Sequence, residues 1–221
     1  MKLTTKLSVL ALASSQLMFG SLISQGLVPE SGTGLGSVNT LLTVKAQGSG
    51  TVETGCVGWD GTMNTTTCPT GFTAGGELAI NNTFTLTQLG LNNFDSIQLI
   101  FNASETDNSL TLDSLALVLY SGTGTLLNFY TTTGPILFPD TNNGTGNAGF
   151  GFVLDAAQAA SANAYLDIEG LRIGAAFSAS GVDNGHETLF VRSINDGGIP
   201  PTEVGEVPEP STYAIAGISL I

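Results

Sequence analysis

Residues 109–120 read S-L-T-L-D-S-L-A-L-V-L-Y, the most apolar run in the chain, and their period decides the fold class. Leu110 and Leu112 share one face of a period-two run and Leu115, Leu117 and Leu119 share another, but the second set is one residue out of step with the first. Period two is the signature of a strand, and a one-residue slip at Asp113-Ser114 predicts a β-bulge or a corner. Ser121-Gly122-Thr123-Gly124 follows as a turn, and Leu126 to Tyr130 is expected to return as the second half of a hairpin. Ile136 to Phe138, fenced by Pro135 and Pro139, suits an edge strand, because proline cannot donate to a ladder.

Outward from this hairpin the same alternation recurs. Phe84 and Leu86 in a run beginning at Leu78, then Ile97, Leu99 and Phe101, then Phe150, Phe152 and Leu154, then Ile173, Ala175 and Phe177, and finally Leu189 and Val191 each stand at strand spacing. One helix interrupts them. Asp155 is the expected N-cap of an alanine-rich segment from Ala156 to Ala164. The expected core is Leu110, Leu112, Leu115, Leu117, Leu119, Phe150, Phe152, Ile173 and Phe177. About eight short strands with one inserted helix predict an all-β fold, an antiparallel β-sandwich or jelly-roll-like domain.

Composition narrows the setting. Only 10% of residues are charged while 29 are glycine, and the polar remainder is largely Thr, Ser and Asn, which argues against a helical cytosolic enzyme. The formal charge is −13, and of the five basic residues only Arg172 and Arg192 lie beyond Lys45. A phosphate backbone demands a basic surface, so nucleic acid is excluded as a partner. Anionic lipid head groups would repel such a domain as well.

Lys2 and Lys6 precede an apolar stretch that begins L-S-V-L-A-L-A and continues to about Ile23, the pattern of a secretory leader. Small residues suit a cut either after Ala13-Ser14-Ser15 or after Val44-Lys45-Ala46. The second is preferred, since residues 31–43 look like spacer. The expected organisation is a leader over 1–46, a disulfide-pinned irregular segment over 47–77, the β domain over 78–194, a linker over 195–206 and a sorting tail over 207–221. Cys56 and Cys68 are the only cysteines, and in an oxidising compartment they should pair, closing a loop for which the chain-entropy estimate is about 3 kcal/mol.

At the far end Val207, Pro208, Glu209, Pro210 and Ser211 precede an apolar run. The two prolines hold the turn extended and open to a processing enzyme. This stretch resembles the C-terminal sorting signal of PEP-CTERM proteins, exported bacterial proteins handled by an exosortase. In that family the motif is followed by one transmembrane helix and a cluster of arginines. Thr212 to Ile221 is about 15 Å of helix against about 30 Å of hydrocarbon, so the tail is expected to be a partial transmembrane segment belonging to a longer signal. The stretches from Gly144 to Ala160 and from Arg172 to Gly181 also resemble β-sandwich ectodomains of PEP-CTERM proteins. The resemblance implies an exosortase-type partner, a transient membrane anchor and release to the cell surface or beyond. It carries no active site.

Little in the sequence points to catalysis. The single histidine, His186, sits in turn composition between carboxylates, and no G-x-S-x-G elbow, H-E-x-x-H helix or P-loop occurs. Paired glycosidase carboxylates would meet in space and leave no sequence mark. The chain is therefore read as no enzyme, with a secreted hydrolase as the least favoured option. Zinc does not suit so few Cys and His residues. Calcium is the ligand to consider, through Asp140, Asn142, Asn143 and Asn147 or through Asp183 and Glu187, although neither loop matches a known calcium pattern and plain turn chemistry is preferred. Two functions follow: a structural or adhesive matrix component, or a carbohydrate-binding module stacking extracellular polysaccharide on Trp59 or on Tyr120, Tyr130 and Tyr165.

Overall fold

A computed structural model describes residues 21–28, 39–45, 50–75, 77–103, 109–138, 149–182 and 186–194. In chain order its strands are β1 (Ile23–Leu27), β2 (Asn39–Lys45), β3 (Val52–Trp59), β4 (Asn64–Thr65), β5 (Glu77–Asn81), β6 (Ile97–Asn102), β7 (Leu110–Tyr120), β8 (Leu126–Thr131), β9 (Ile136–Phe138), β10 (Gly149–Val153), β11 (Arg172–Ser180) and β12 (Glu187–Ser193). One helix, α1 (Ala156–Asn163), lies between β10 and β11. The strands form two antiparallel sheets. The first runs β1-β10-β6-β12-β2-β5; the second runs β4-β3-β11-β7-β8, with β9 paired to the opening half of β7.

The stretch that predicts the fold is the single long strand β7. Its partner β11 matches Ser178 to Ser114 and then Ala179 to Leu112, so Asp113 is the extra residue of a bulge. That extra residue cancels the change of step. Leu110 and Leu112 before it, and Leu115, Leu117 and Leu119 after it, are all fully buried in one core. A period-two strand without the bulge would turn one of the two sets to the opposite face. The predicted hairpin to β8 and the predicted edge strand β9 are both present. Asp155 caps α1 as expected and completes a capping box: its Oδ1 accepts from Gln158 N–H at 2.7 Å, while Gln158 Oε1 accepts from Asp155 N–H at 3.0 Å.

Both sheets feed the same core. Leu41, Leu99, Phe101, Phe152, Leu189 and Val191 come from the first, and Leu115, Leu117, Leu119, Ile173 and Phe177 from the second. Rings interlock across the gap: Phe101 meets Phe177 edge-on with centroids at 5.3 Å, and Phe138 stacks on Phe150 at 3.9 Å. Burying each such side chain is worth about 1.5–3 kcal/mol. All nine residues expected in the core are buried.

Three expectations are corrected. The sheet does not wait for residue 78, because β1 and β2 arise inside the segment read as leader, and β2 lies between β12 and β5 with Leu41, Leu42 and Val44 fully buried. Nor is the segment around the cysteines irregular: β3 pairs with β11 from Val52 to Val57 and with β4 at Gly58 and Trp59. Glycines at 55 and 58 interrupt its apolar pattern, and the reason for Gly58 is steric. Tyr120 lies across it, so that a Cβ there would stand 2.7 Å from the phenol oxygen. Finally, Phe84 and Leu86 do not extend a strand from Leu78. β5 ends at Asn81, Phe84 makes an isolated bridge to Ile173, and Leu86 leads into a 3₁₀ turn at Thr87–Leu89.

Among the described residues no helix is long and apolar enough to cross a membrane.

Candidate functional site

The outer face of the second sheet is covered by the loop that the cysteines pin. Cys56, Ala116, Val118, Tyr120 and Ala176 form a small cluster there, with Trp59, Cys68, Phe72 and Phe129 packed against it. Cys56 and Cys68 are disulfide-bonded, as expected, with Cα atoms 5.4 Å apart. Small side chains on β7 and β11 leave room for the loop to sit close.

At one end of this loop the turn from β3 to β4 is tied down by Asp60. Its Oδ1 accepts from Met63 N–H at 2.8 Å, from Thr62 N–H at 2.7 Å and from the Thr62 hydroxyl at 2.8 Å. These bonds, led by that from Met63, hold the carboxyl below the usual range for aspartate. The turn then packs on the β7–β8 turn through glycine. Gly124 has φ +88° and its backbone touches that of Asp60 and Gly61 so closely that no side chain would fit.

Trp59, the only tryptophan, closes β3 at this end. It is half-buried, and its indole N–H donates to Gly122 O at 2.9 Å. The Arg172 guanidinium lies over the ring, 4.0 Å from the centroid. Arg172 is held from the other side by Thr83: Nε donates to Oγ1 at 2.8 Å and Nη2 to the carbonyl at 3.0 Å. Thr83 in turn donates from its backbone N–H (3.1 Å) and its hydroxyl (2.7 Å) to Asn64 Oδ1. Burial lowers the pKa of Arg172. The planar guanidinium stacks on the ring while donating two hydrogen bonds to Thr83, a geometry that a lysine would not reproduce.

Next along the chain from both Thr83 and Arg172 is a groove of about 360 Å³, lined by Thr85, Leu86, Thr87, Leu91, Asn92, Leu166, Ile168, Gly170 and Leu171. Gly170 backs onto Gly122, the residue that accepts from Trp59. Leu166 and Ile168 are more than a third exposed, so the groove offers hydroxyl and amide groups beside an apolar wall. That mixture can hold a molecule with one polar edge and one apolar face.

Among the aromatic residues named for stacking, Tyr120 and Tyr130 are buried and present no platform. Burial pushes the Tyr120 phenol up to about 12. It also raises that of Tyr130, against the opposing effect of its hydrogen bonds to Ser161 and Asn128. Tyr165 is partly buried against the core. Trp59 is likewise only partly buried, and of the four it is the one that carries a cation over its ring.

The other sequence candidates scatter. His186 is exposed just ahead of β12. Glu187 is a fully buried strand residue and not an exposed loop ligand; its N–H approaches Glu53 Oε2 at 3.4 Å, and Glu53 is buried as well. Asp140, Asn142, Asn143, Asn147 and Asp183 lie outside the described residues, as do Val207, Pro208, Glu209, Pro210 and Ser211. Among the described residues no group of three or more His, Cys, Asp or Glu side chains could hold a metal ion.

Arg172, Thr83 and Asn64 were not among the sequence candidates. The one available signal was that Arg172 is one of two basic residues left in an acidic domain. No family model, curated protein or solved structure matches the chain.

Proposed function

We propose that this chain is an exported protein whose two-sheet domain, a sandwich of jelly-roll kind, serves a structural or adhesive role at the cell surface or in the surrounding matrix. In this reading an exosortase-type enzyme acts at Val207 to Ser211, after the leader has brought the chain to the envelope. The observation that carries it is the Cys56–Cys68 bridge, which pins a covering loop onto an outer sheet face and requires an oxidising compartment to persist. The Gly, Thr, Ser and Asn surface and the Pro-Glu-Pro corner point the same way. The test is fractionation of cells expressing the full-length protein with and without an exosortase-type enzyme. Release that depends on the enzyme is the expected result, and equal release without it contradicts the reading.

One observation favours a second reading, in which the domain binds carbohydrate. The groove whose wall includes Leu171, the chain neighbour of Arg172, joins polar groups to an apolar wall, as a sugar ring requires. A panel of neutral and acidic polysaccharides separates the two: retention of the intact protein that is lost in Trp59→Ala supports binding, and no retention on any member favours the structural role.

A further inference from the structure

Two bonds in the N-terminal region have the small residues that a leader peptidase requires, and the fold separates them. On the export reading above, we infer that the leader is cut at the Ser15–Gln16 bond, so that residues 16–46 stay with the mature protein.

The argument begins with β2. Val44 would be the third residue before a cut after Ala46, yet it is fully buried and stands opposite Glu187 in β12 on one side and Leu78 in β5 on the other. Leu41 and Leu42 are fully buried in the common core. A cut after Ala46 would sever from the chain a strand that joins β5 to the rest of its sheet. It would free β1 as well, which pairs with β10 from Ile23 to Leu27.

The tie reaches still further upstream. Leu22 is buried in the core, and its N–H donates to Thr131 O at 2.8 Å. Ser21 Oγ accepts from the backbone N–H of Thr133 at 2.9 Å and lies 2.6 Å from its hydroxyl. The folded domain therefore begins no later than Ser21.

The leader's own pattern agrees independently. The opening part of the apolar stretch, Leu7 to Ala13, is seven residues long, and a cut after Ser15 makes a leader of fifteen, against about 15–30 residues for secretory leaders generally, with the apolar residues from Leu17 to Ile23 left on the mature chain. A leader ending at Ala46 is too long by that measure and would place its cut far from the apolar region.

The experiment is N-terminal sequencing of the exported full-length protein, alongside two variants of the cut sites. Gln16 as the first residue is expected. The double variant Ala13→Asp with Ser15→Asp should lose cleavage and leave the full-size chain in the membrane fraction, while Ala46→Asp should be cut and exported as before. Exported protein that starts at Gln47, or loss of cleavage in Ala46→Asp, overturns the inference while leaving export intact. A chain that keeps Met1 and stays in the cytoplasm overturns the export reading and the cut with it.

Discussion

Leu117→Ala is the substitution that most directly probes how the two sheets share a core. Leu117 is fully buried on β7, opposite Ala175 of β11 on one side and Tyr130 of β8 on the other. Removing its branched end deletes buried apolar surface and leaves a cavity, at a cost of about 2–5 kcal/mol for such a change. The upper part of that range is expected, because both neighbouring strands are fixed by their ladders and cannot collapse into the space. At about 2–4 °C per kcal/mol for a chain of this size, the melting temperature should fall by roughly 4–20 °C. Thermal and denaturant unfolding under non-reducing conditions measure this, with Leu137→Ala as the control. Leu137 is 61% exposed on β9 in the same sheet, and its loss should change stability by no more than about 0.5 kcal/mol. Leu117→Asp should abolish cooperative unfolding altogether, since an unpaired carboxylate would stand in hydrocarbon. A Leu117→Ala protein that unfolds with the control would refute the face assigned to β7 and, with it, the role of the Asp113 bulge.

Three further outcomes follow from the same geometry. Thiol titration of unfolded, unreduced protein should give zero, and replacing both Cys56 and Cys68 by serine should lower stability by about 3 kcal/mol; two titratable thiols would remove the covering loop's anchor. The Tyr120 phenol, raised to about 12 by burial, favours the protonated form in the folded state, so its contribution is complete below the unfolded value near 10 and is lost as pH rises toward 12. Alkaline unfolding followed by tyrosinate absorbance checks this, and a Tyr120→Phe protein with the same dependence between those values would assign the effect elsewhere. Arg172→Met should shift Trp59 emission to longer wavelength, because the cation that covers the ring and its bonds to Thr83 are gone; an unchanged spectrum would mean that Arg172 does not shield the indole.

The parts of the fold that were legible are those decided by local chemistry. Alternation marked β7, β10, β11 and β12; the slip at Asp113 marked the bulge; Asp155 with Gln158 marked the start of α1. What escaped was set by partners distant in sequence. β2 has the apolar and Thr-rich composition of a leader's flank, and only its place between β12 and β5 makes it core. β3 carries a glycine at position 58 because Tyr120 crosses it there, and nothing near Gly58 in the sequence announces a tyrosine from another strand. Glu187 reads as an exposed loop acid until β12 carries it inside beside Glu53. The Trp59–Arg172 pair has the same origin. The ring of Trp59 is visible in the sequence, but the guanidinium above it is supplied by β11 and braced by Thr83, a juxtaposition that no spacing encodes.

The exosortase step of the proposal rests on Pro208, Glu209 and Pro210. In the full-length protein, the triple substitution Pro208→Ala, Glu209→Ala and Pro210→Ala should block processing, and pulse-chase fractionation should find the unprocessed chain held in the membrane. Release of that variant at the normal rate and size would contradict the account.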